Sequence, residues 1–303
     1  MAGFQVVTGA FGYTGRYITQ CLLERGEQVL TLTRRPNPSN LFDGQVRVAP
    51  FNFDQPAELA KSLAGATTLY NTYWVRNEQG ETTFAQAVRN SQTLIHAAEQ
   101  AGVRRIVHIS ITNPSADSPL PYFRGKALVE QAVQASTLSY AIVRPTLIFG
   151  EGDILVNNIA WLLRRLPLFG IFGDGAYRLQ PVAAEDVAEV AVTAGERSEN
   201  LILDAAGPDV FRFEEFVRLI AAQVGSRALV VHMPVSLALA CARIIGLAVH
   251  DVILSRYEAE GLMAELLVSK DAPCGRRRFA DWLSTNAGLI GRRFATEQRR
   301  PYR

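Results

Sequence analysis

Alternating strand and helix patterns predict an α/β protein: a doubly wound parallel sheet followed by a smaller, mostly helical C-terminal lobe. Three observations carry this expectation. Short apolar runs alternate with stretches of helical period from residue 4 to residue 145. A G-x-x-G-x-x-G turn joins the first run to the first helical stretch. The rhythm then breaks near residue 150, where Gly, Leu and Phe become frequent. The expected domains are therefore 1–150 and 151–303, with parts of the second threaded back into the first.

The elements follow in order. FQVVTG (4–9) reads as a buried strand ending in glycine, and TGRYITQCLLERG (14–26) as a helix stopped by Gly26. QVLTLT (28–33) and RVAPFNF (47–53) are the next strands, with a short helix over 56–64. TTLYNTY (67–73) is a fourth strand, 81–101 a long helix closed by Gly102, and RRIVHIS (104–110) a fifth strand. A helix over 122–135 and the strand SYAIVRP (139–145) complete the first half. Beyond it stand a strand-like LILDAAG (201–207), a helix over 211–225 and an apolar stretch over 233–249. Right-handed crossovers between parallel strands place helices on both faces of the sheet.

The 303 residues are 48% hydrophobic, enough for one large core and one small one. Thirty-one Lys and Arg balance 29 Asp and Glu, so no global field calls for nucleic acid. Cys21, Cys241 and Cys274 have no pairing spacing, and His96, His108, His232 and His250 form no ligand ladder. Both patterns point to a reducing compartment and to no metal. The opening MAGFQVV runs straight into a strand pattern without a signal-peptide profile, so a cytoplasmic location is expected.

VTGAFGYTGR places Gly9, Gly12 and Gly15 between a strand and a helix. This is the context of a dinucleotide fingerprint. Gly9 permits the tight turn, Gly12 lets backbone N–H groups approach a pyrophosphate, and Gly15 lets helix and strand pack closely. Phe11, Tyr13 and Thr14 fill the rest of the loop. The second strand ends in Arg34 and Arg35, where an NAD enzyme carries an acid for the ribose hydroxyls. An arginine fork suits a 2′-phosphate. The expected cofactor is NADP(H) rather than NAD(H).

The glycine spacing resembles the short-chain dehydrogenase/reductase superfamily, over about residues 4–195. That resemblance implies a Rossmann domain and several site residues. Asn52 and Phe53 stand where the superfamily holds adenine with an Asp and an apolar residue. Tyr122 and Lys126 form the Y-x-x-x-K that begins the helix after the fifth strand. Four residues apart, they leave one helix face. The resemblance makes Tyr122 the acid/base group, with Lys126 lowering its pKa and holding the nicotinamide ribose. Ser110 and Thr112 are the candidates for polarising a carbonyl. Pro145 and Thr146, after Arg144, resemble the turn that lines the nicotinamide; Asn71 and Thr72 complete the candidate cofactor set.

Only NPSADSPLP separates Thr112 from Tyr122, far shorter than the loop of extended sugar-nucleotide epimerases. The chain is more similar to the atypical branch, and within it to the nucleotide-binding accessory subunits of respiratory complex I. That similarity rests on HISITNPSADSPLPYFRGKALVEQAV, FGDGAYRLQPVAAEDVA and the basic C-terminus. Two functions follow. One is a reductase or epimerase-like enzyme acting on a small carbonyl or alcohol; the other is a non-catalytic NADPH-binding subunit or redox sensor. Asp186 is expected to cap the helix DVAEVAVTAG. Tyr73 and Trp74 are expected to be packing aromatics, and the substrate pocket to draw on 72–82, 146–180 and the second lobe.

Residues 233–249 hold one charge, Arg243, and are short for a bilayer span. The tail carries Arg276, Arg277, Arg278, Arg292, Arg293, Arg299, Arg300 and Arg303 against Asp281 and Glu297. An apolar helix beside a basic tail suits a peripheral site on an anionic membrane face, or a protein partner.

Overall fold

The structure, a computed structural model, describes residues 3–33, 41–78 and 82–296. The chain opens with β1 (Phe4–Thr8), α1 (Tyr13–Glu24), β2 (Val29–Leu32), β3 (Val46–Ala49), α2 (Pro56–Leu63) and β4 (Ala66–Asn71). It continues through α3 (Phe84–Gln100), β5 (Arg105–Ile109), α4 (Pro121–Ala135) and β6 (Ser139–Pro145). Next come β7 (Leu147–Phe149), α5 (Leu155–Arg165), β8 (Leu168–Phe172), β9 (Arg178–Leu179) and β10 (Pro181–Ala183). Then follow α6 (Ala184–Gly195), β11 (Leu201–Ala205), β12 (Phe211–Arg212), α7 (Phe213–Gln223) and β13 (Leu229–Met233). The last helices are α8 (Val235–Val249), α9 (Arg256–Met263) and α10 (Phe279–Asn286).

Seven strands form one parallel sheet in the order β11-β6-β5-β4-β1-β2-β3. The order reverses at β1/β4, which is where a doubly wound sheet opens a crevice at its carboxyl edge. Central strands are buried on both faces, as in the uninterrupted burial of β5. α1 buries Gly15, Ile18, Thr19 and Leu22 along a single stripe. Val6, Leu32, Leu69, Leu94, Ile106 and Val129 are fully buried in the core between sheet and helices. Each contributes roughly 1.5–3 kcal/mol by the area it removes from water.

The chain divides into two compact units, 1–145 with 184–205 and 146–183 with 206–300. The first unit ends at Pro145 and includes 184–205 from the second half of the chain. The strand-like segment 201–207 supplies β11 with its residues Leu201–Ala205. It pairs in parallel with β6, from Leu201 opposite Ala141 to Ala205 opposite Pro145. The crossover helix α6 precedes it, as parallel pairing requires.

The second unit is built on α5, α7, α8, α9 and α10 with three two-stranded sheets, β10-β7, β12-β9 and β13-β8. Its core gathers Phe149, Phe213, Phe216 and Phe279, and the rings of Phe216 and Phe279 stack at 4.6 Å. Several boundaries differ from the sequence expectation; β3, expected over 47–53, ends at Ala49, and α7 is shorter than 211–225. α3 starts at Phe84, capped by the Thr83 hydroxyl, which accepts from Gln86 N–H at 3.1 Å. α6 starts at Ala184, so Asp186 is a buried first-turn residue and not the N-cap. An acidic side chain in the first turn still opposes the helix dipole.

Candidate nucleotide and catalytic site

The glycine loop is built as its spacing requires. Gly9 takes φ +65°, a conformation that favours glycine, and its N–H donates to the Leu32 carbonyl at 2.9 Å. Gly12 is the N-cap of α1, and its N–H donates to the Gly9 carbonyl at 2.7 Å. A Cβ on Gly15 would stand 2.1 Å from the Gly9 carbonyl oxygen, so only glycine lets α1 approach the strand this closely. No side chain caps α1 and no acid lies in its first turn, which leaves its positive end open to an anion. These residues fit a dinucleotide's phosphates.

The flanking candidates have different surroundings. Phe11 is buried and stacks on Phe42 at 6.4 Å. Tyr13 packs edge-on against Tyr17, and the Arg16 guanidinium lies over both rings. Thr14 is half-buried in the first turn. Asn52 adopts φ +42° after β3, and Phe53 joins Phe51 and Tyr73 in an aromatic cluster with centroids 4.9–5.3 Å apart. Arg34 and Arg35 lie outside the described residues, as do 79–81 of the expected pocket and the tail from 297.

A buried polar ladder ties β1, β4 and β5 together. The Thr8 hydroxyl accepts from Thr72 N–H at 2.7 Å, and the Asn71 Oδ1 accepts from Tyr73 N–H at 3.1 Å. The Asn71 amide group therefore turns its Nδ2 toward His108 Nδ1, 3.2 Å away. His108 accepts at Nδ1 and carries its proton on Nε2. Burial, and then the charge of Lys126, push the His108 pKa well below its ordinary value, so the ring is neutral.

α4 starts at Pro121 in the first helical position, which pre-sets the backbone of the first turn. Tyr122 and Lys126 follow on one face. Trp74 lies edge-on to Tyr122 at 5.9 Å and presents its ring face to Lys126 Nζ at 4.8 Å. Phe84 and Phe123 flank Tyr122 at 5.7 and 5.8 Å. Lys126 is 3% exposed, and its Nζ donates to the Ile109 carbonyl at 2.8 Å. Burial brings its pKa down to about 7, opposed by the negative charge of Glu130. One turn along, Glu130 grips Arg144 through two bonds, Nε to Oε1 at 2.9 Å and a guanidinium nitrogen to Oε2 at 2.5 Å.

The two hydroxyl candidates separate. Thr112 is fully buried, and its Oγ1 faces the Arg144 carbonyl at 3.5 Å, while its N–H donates to the Pro145 carbonyl. Ser110 directly follows Ile109, and its buried Oγ has no partner among the described residues. Of the two, Ser110 is the hydroxyl without a hydrogen-bond partner among the described residues. Thr146 is buried just beyond Pro145. No sequence motif points to Trp74, His108 or Glu130. The signals available were the position of Trp74 after the fourth strand and the i, i+4 spacing of Lys126 and Glu130.

The NAD dependent epimerase/dehydratase family model matches residues 5–203, and the chain belongs to that family. The chain is 28% identical over 247 residues to NADH dehydrogenase [ubiquinone] 1 alpha subcomplex subunit 9 of Arabidopsis thaliana, covering 78% of this chain and 61% of that protein. The Dictyostelium discoideum protein of the same name is 26% identical over 226 residues, covering 71% and 62%. The chain thus spans about three fifths of the length of these relatives. Among solved structures, a nucleoside-diphosphate-sugar epimerase from Staphylococcus aureus superposes with a TM-score of 0.71 at 16% identity, covering 93% of this chain and 99% of that one. That likeness concerns the fold.

Proposed function

We propose that the protein is an NADP(H)-dependent oxidoreductase that reduces a small carbonyl, or oxidises the matching alcohol, with Tyr122 as the acid/base group. The observation that carries the reading is the meeting of α4 with the end of β5. Lys126 Nζ bonds the carbonyl of Ile109, and the next residue holds the unpartnered Ser110 hydroxyl. Tyr122 lies one turn before Lys126 on the same helix face. Bound cofactor would supply or take the hydride. In reduction, Ser110 donates a hydrogen bond to the substrate oxygen and Tyr122 delivers its proton. Lys126 positions the Tyr122 hydroxyl electrostatically and orients the cofactor ribose. Gly9, Gly12, Gly15 and the N-terminus of α1 hold the phosphates. Arg34 and Arg35 support NADP(H) over NAD(H) from sequence alone.

A second reading has its own support. Lys126 is sheathed by Trp74 and committed to a backbone carbonyl, and the matched relatives are named as subunits of NADH dehydrogenase. On this reading the protein binds NADPH without turnover. One experiment separates the two. NADPH oxidation is followed with aldehydes, ketones and quinones on the parent and on Tyr122→Phe, alongside NADPH affinity for both. The enzyme reading expects parent turnover that falls about a hundredfold in Tyr122→Phe at unchanged affinity. Parent turnover that survives Tyr122→Phe overturns the mechanism. A parent that binds NADPH and turns nothing over favours the second reading.

A further inference from the structure

α8 is inside out for a globular helix. Its buried residues are the small ones, Ala238, Ala242 and Gly246, spaced four apart along one line. Its bulky residues face water: Leu237, Ile244 and Leu247 are 51%, 68% and 73% exposed. Ser236, Ala240, Cys241, Arg243 and Ala248 are exposed with them. At 3.6 residues per turn these positions fill a continuous sector of roughly 160°. Leu237, Ala240, Cys241, Ile244, Leu247 and Ala248 make up its body, and Ser236 and Arg243 lie together along one edge. Gly246 lets the chain fold back against the end of the helix, since a Cβ there would meet the Asp251 carbonyl oxygen at 2.6 Å.

Among the exposed residues of this face Arg243 is the charged one. From residue 216 to residue 250 the chain carries Arg218, Arg227 and Arg243 and neither aspartate nor glutamate. Arg218 is held by Glu214; among the described residues no carboxylate pairs with Arg227 or Arg243. The acids that follow the helix along the chain are Asp251, which accepts from Val252 N–H, Glu258, which caps α9 with Ser255, and Glu260, which pairs with Arg256.

We infer that the outer face of α8 is a docking surface for an anionic phospholipid bilayer, on which the helix lies flat. An apolar sector edged by a cation suits the boundary between acyl chains and anionic headgroups, with Arg243 reaching up to the headgroups. The helix does not span. Fifteen residues reach about 22 Å, against a hydrocarbon core of about 30 Å, and among the described residues no helix is long and apolar enough to cross. A protein partner fits less well. Protein interfaces concentrate Trp, Tyr and Arg in pockets, with leucine under-represented. This face is a convex aliphatic ridge.

The test is sedimentation of the purified chain with vesicles of phosphatidylcholine alone and of phosphatidylcholine with phosphatidylglycerol. Three proteins are compared: the parent, Ile244→Glu with Leu247→Glu, and Arg243→Glu. The parent binds the anionic vesicles at least about tenfold more tightly than the neutral ones, and high salt weakens binding. Ile244→Glu with Leu247→Glu abolishes binding, and Arg243→Glu weakens it. Both variants keep the parent circular dichroism and melting temperature, because the altered side chains are exposed. A parent that ignores anionic vesicles overturns the inference, as does binding that survives both variants. A parent that ignores vesicles but is a dimer in light scattering, with Ile244→Glu and Leu247→Glu giving monomers, overturns it in favour of a second copy of this chain.

Discussion

Lys126 Nζ lies 4.8 Å from the centre of the Trp74 ring. The relationship joins the loop after β4 to the helix that carries the proposed acid/base pair. It gives the ammonium an aromatic face in place of water, and a cation over a desolvated indole is held by roughly 2 kcal/mol. The ring also fixes the helix. A Cβ on Gly125 would meet the Trp74 ring at 2.8 Å, so this turn of α4 admits no larger residue while Trp74 stays in place.

Lys126 makes stability depend on pH. Its pKa falls from 10.5 to about 7 in the folded protein. Below about 7 both states hold the proton, and above 10.5 neither does. Between them the unfolded chain holds more, so this group adds stability as pH rises. Lys126→Met should remove that slope. The stability difference between variant and parent should shift toward the parent by about 1 kcal/mol or more between pH 7 and 10. Urea midpoints at several pH values measure it, and a pH-independent difference rejects the buried-cation account.

Glu130→Gln keeps the volume but takes the Glu130 carboxylate from Arg144. Glu130 is 3% exposed and Arg144 half-buried, so the loss should be about 1–3 kcal/mol, below that of a fully buried pair. It also removes the negative charge that supports Lys126. The lower edge of the Lys126 pH window should therefore move down, while its upper edge, set by the unfolded chain, stays in place. An unchanged melting temperature would mean that the pair adds nothing to the fold.

Gly15→Ala and Gly26→Ala should differ in kind. At Gly15 the new methyl meets backbone at 2.1 Å, so α1 must shift, at a cost of about 2 kcal/mol or more, with loss of nucleotide affinity. At Gly26 the space is open and only φ +77° resists, which costs about 1 kcal/mol and leaves nucleotide affinity intact. Denaturation and nucleotide titration on both variants check the contrast.

Ser110→Ala should keep fold and cofactor affinity and cut turnover about a hundredfold, the scale of a lost donor to a reacting oxygen. Thr112→Val should leave turnover within a few-fold, because its hydroxyl faces the Arg144 carbonyl. The reverse ranking, read from steady-state rates, would exchange their roles.

NADP(H) should bind at least about tenfold, or 1.4 kcal/mol, more tightly than NAD(H). Arg34→Ala should close the gap while leaving NAD(H) binding nearly unchanged. Equal affinities in the parent reject the arginine assignment.

The local sequence determined the alternation of strands and helices, the glycine loop and the one-turn spacing of Tyr122 and Lys126. Each is written in neighbouring residues: apolar runs, a turn that needs positive φ at Gly9, a helical period. The second lobe's edges were less legible, because Leu201–Ala205 looks like any short strand until its partner is known. Tertiary structure paired it with β6 and returned 184–205 to the first unit. Nor could spacing show that Thr112 faces a backbone carbonyl across the sheet while the Ser110 hydroxyl does not. The same holds for α8. Its sequence is apolar nearly all round, and only packing decided that Ala238, Ala242 and Gly246 turn inward, leaving Leu237, Ile244 and Leu247 outside. Close approach of backbones selects small residues for the contact, and the larger side chains are left on the far side.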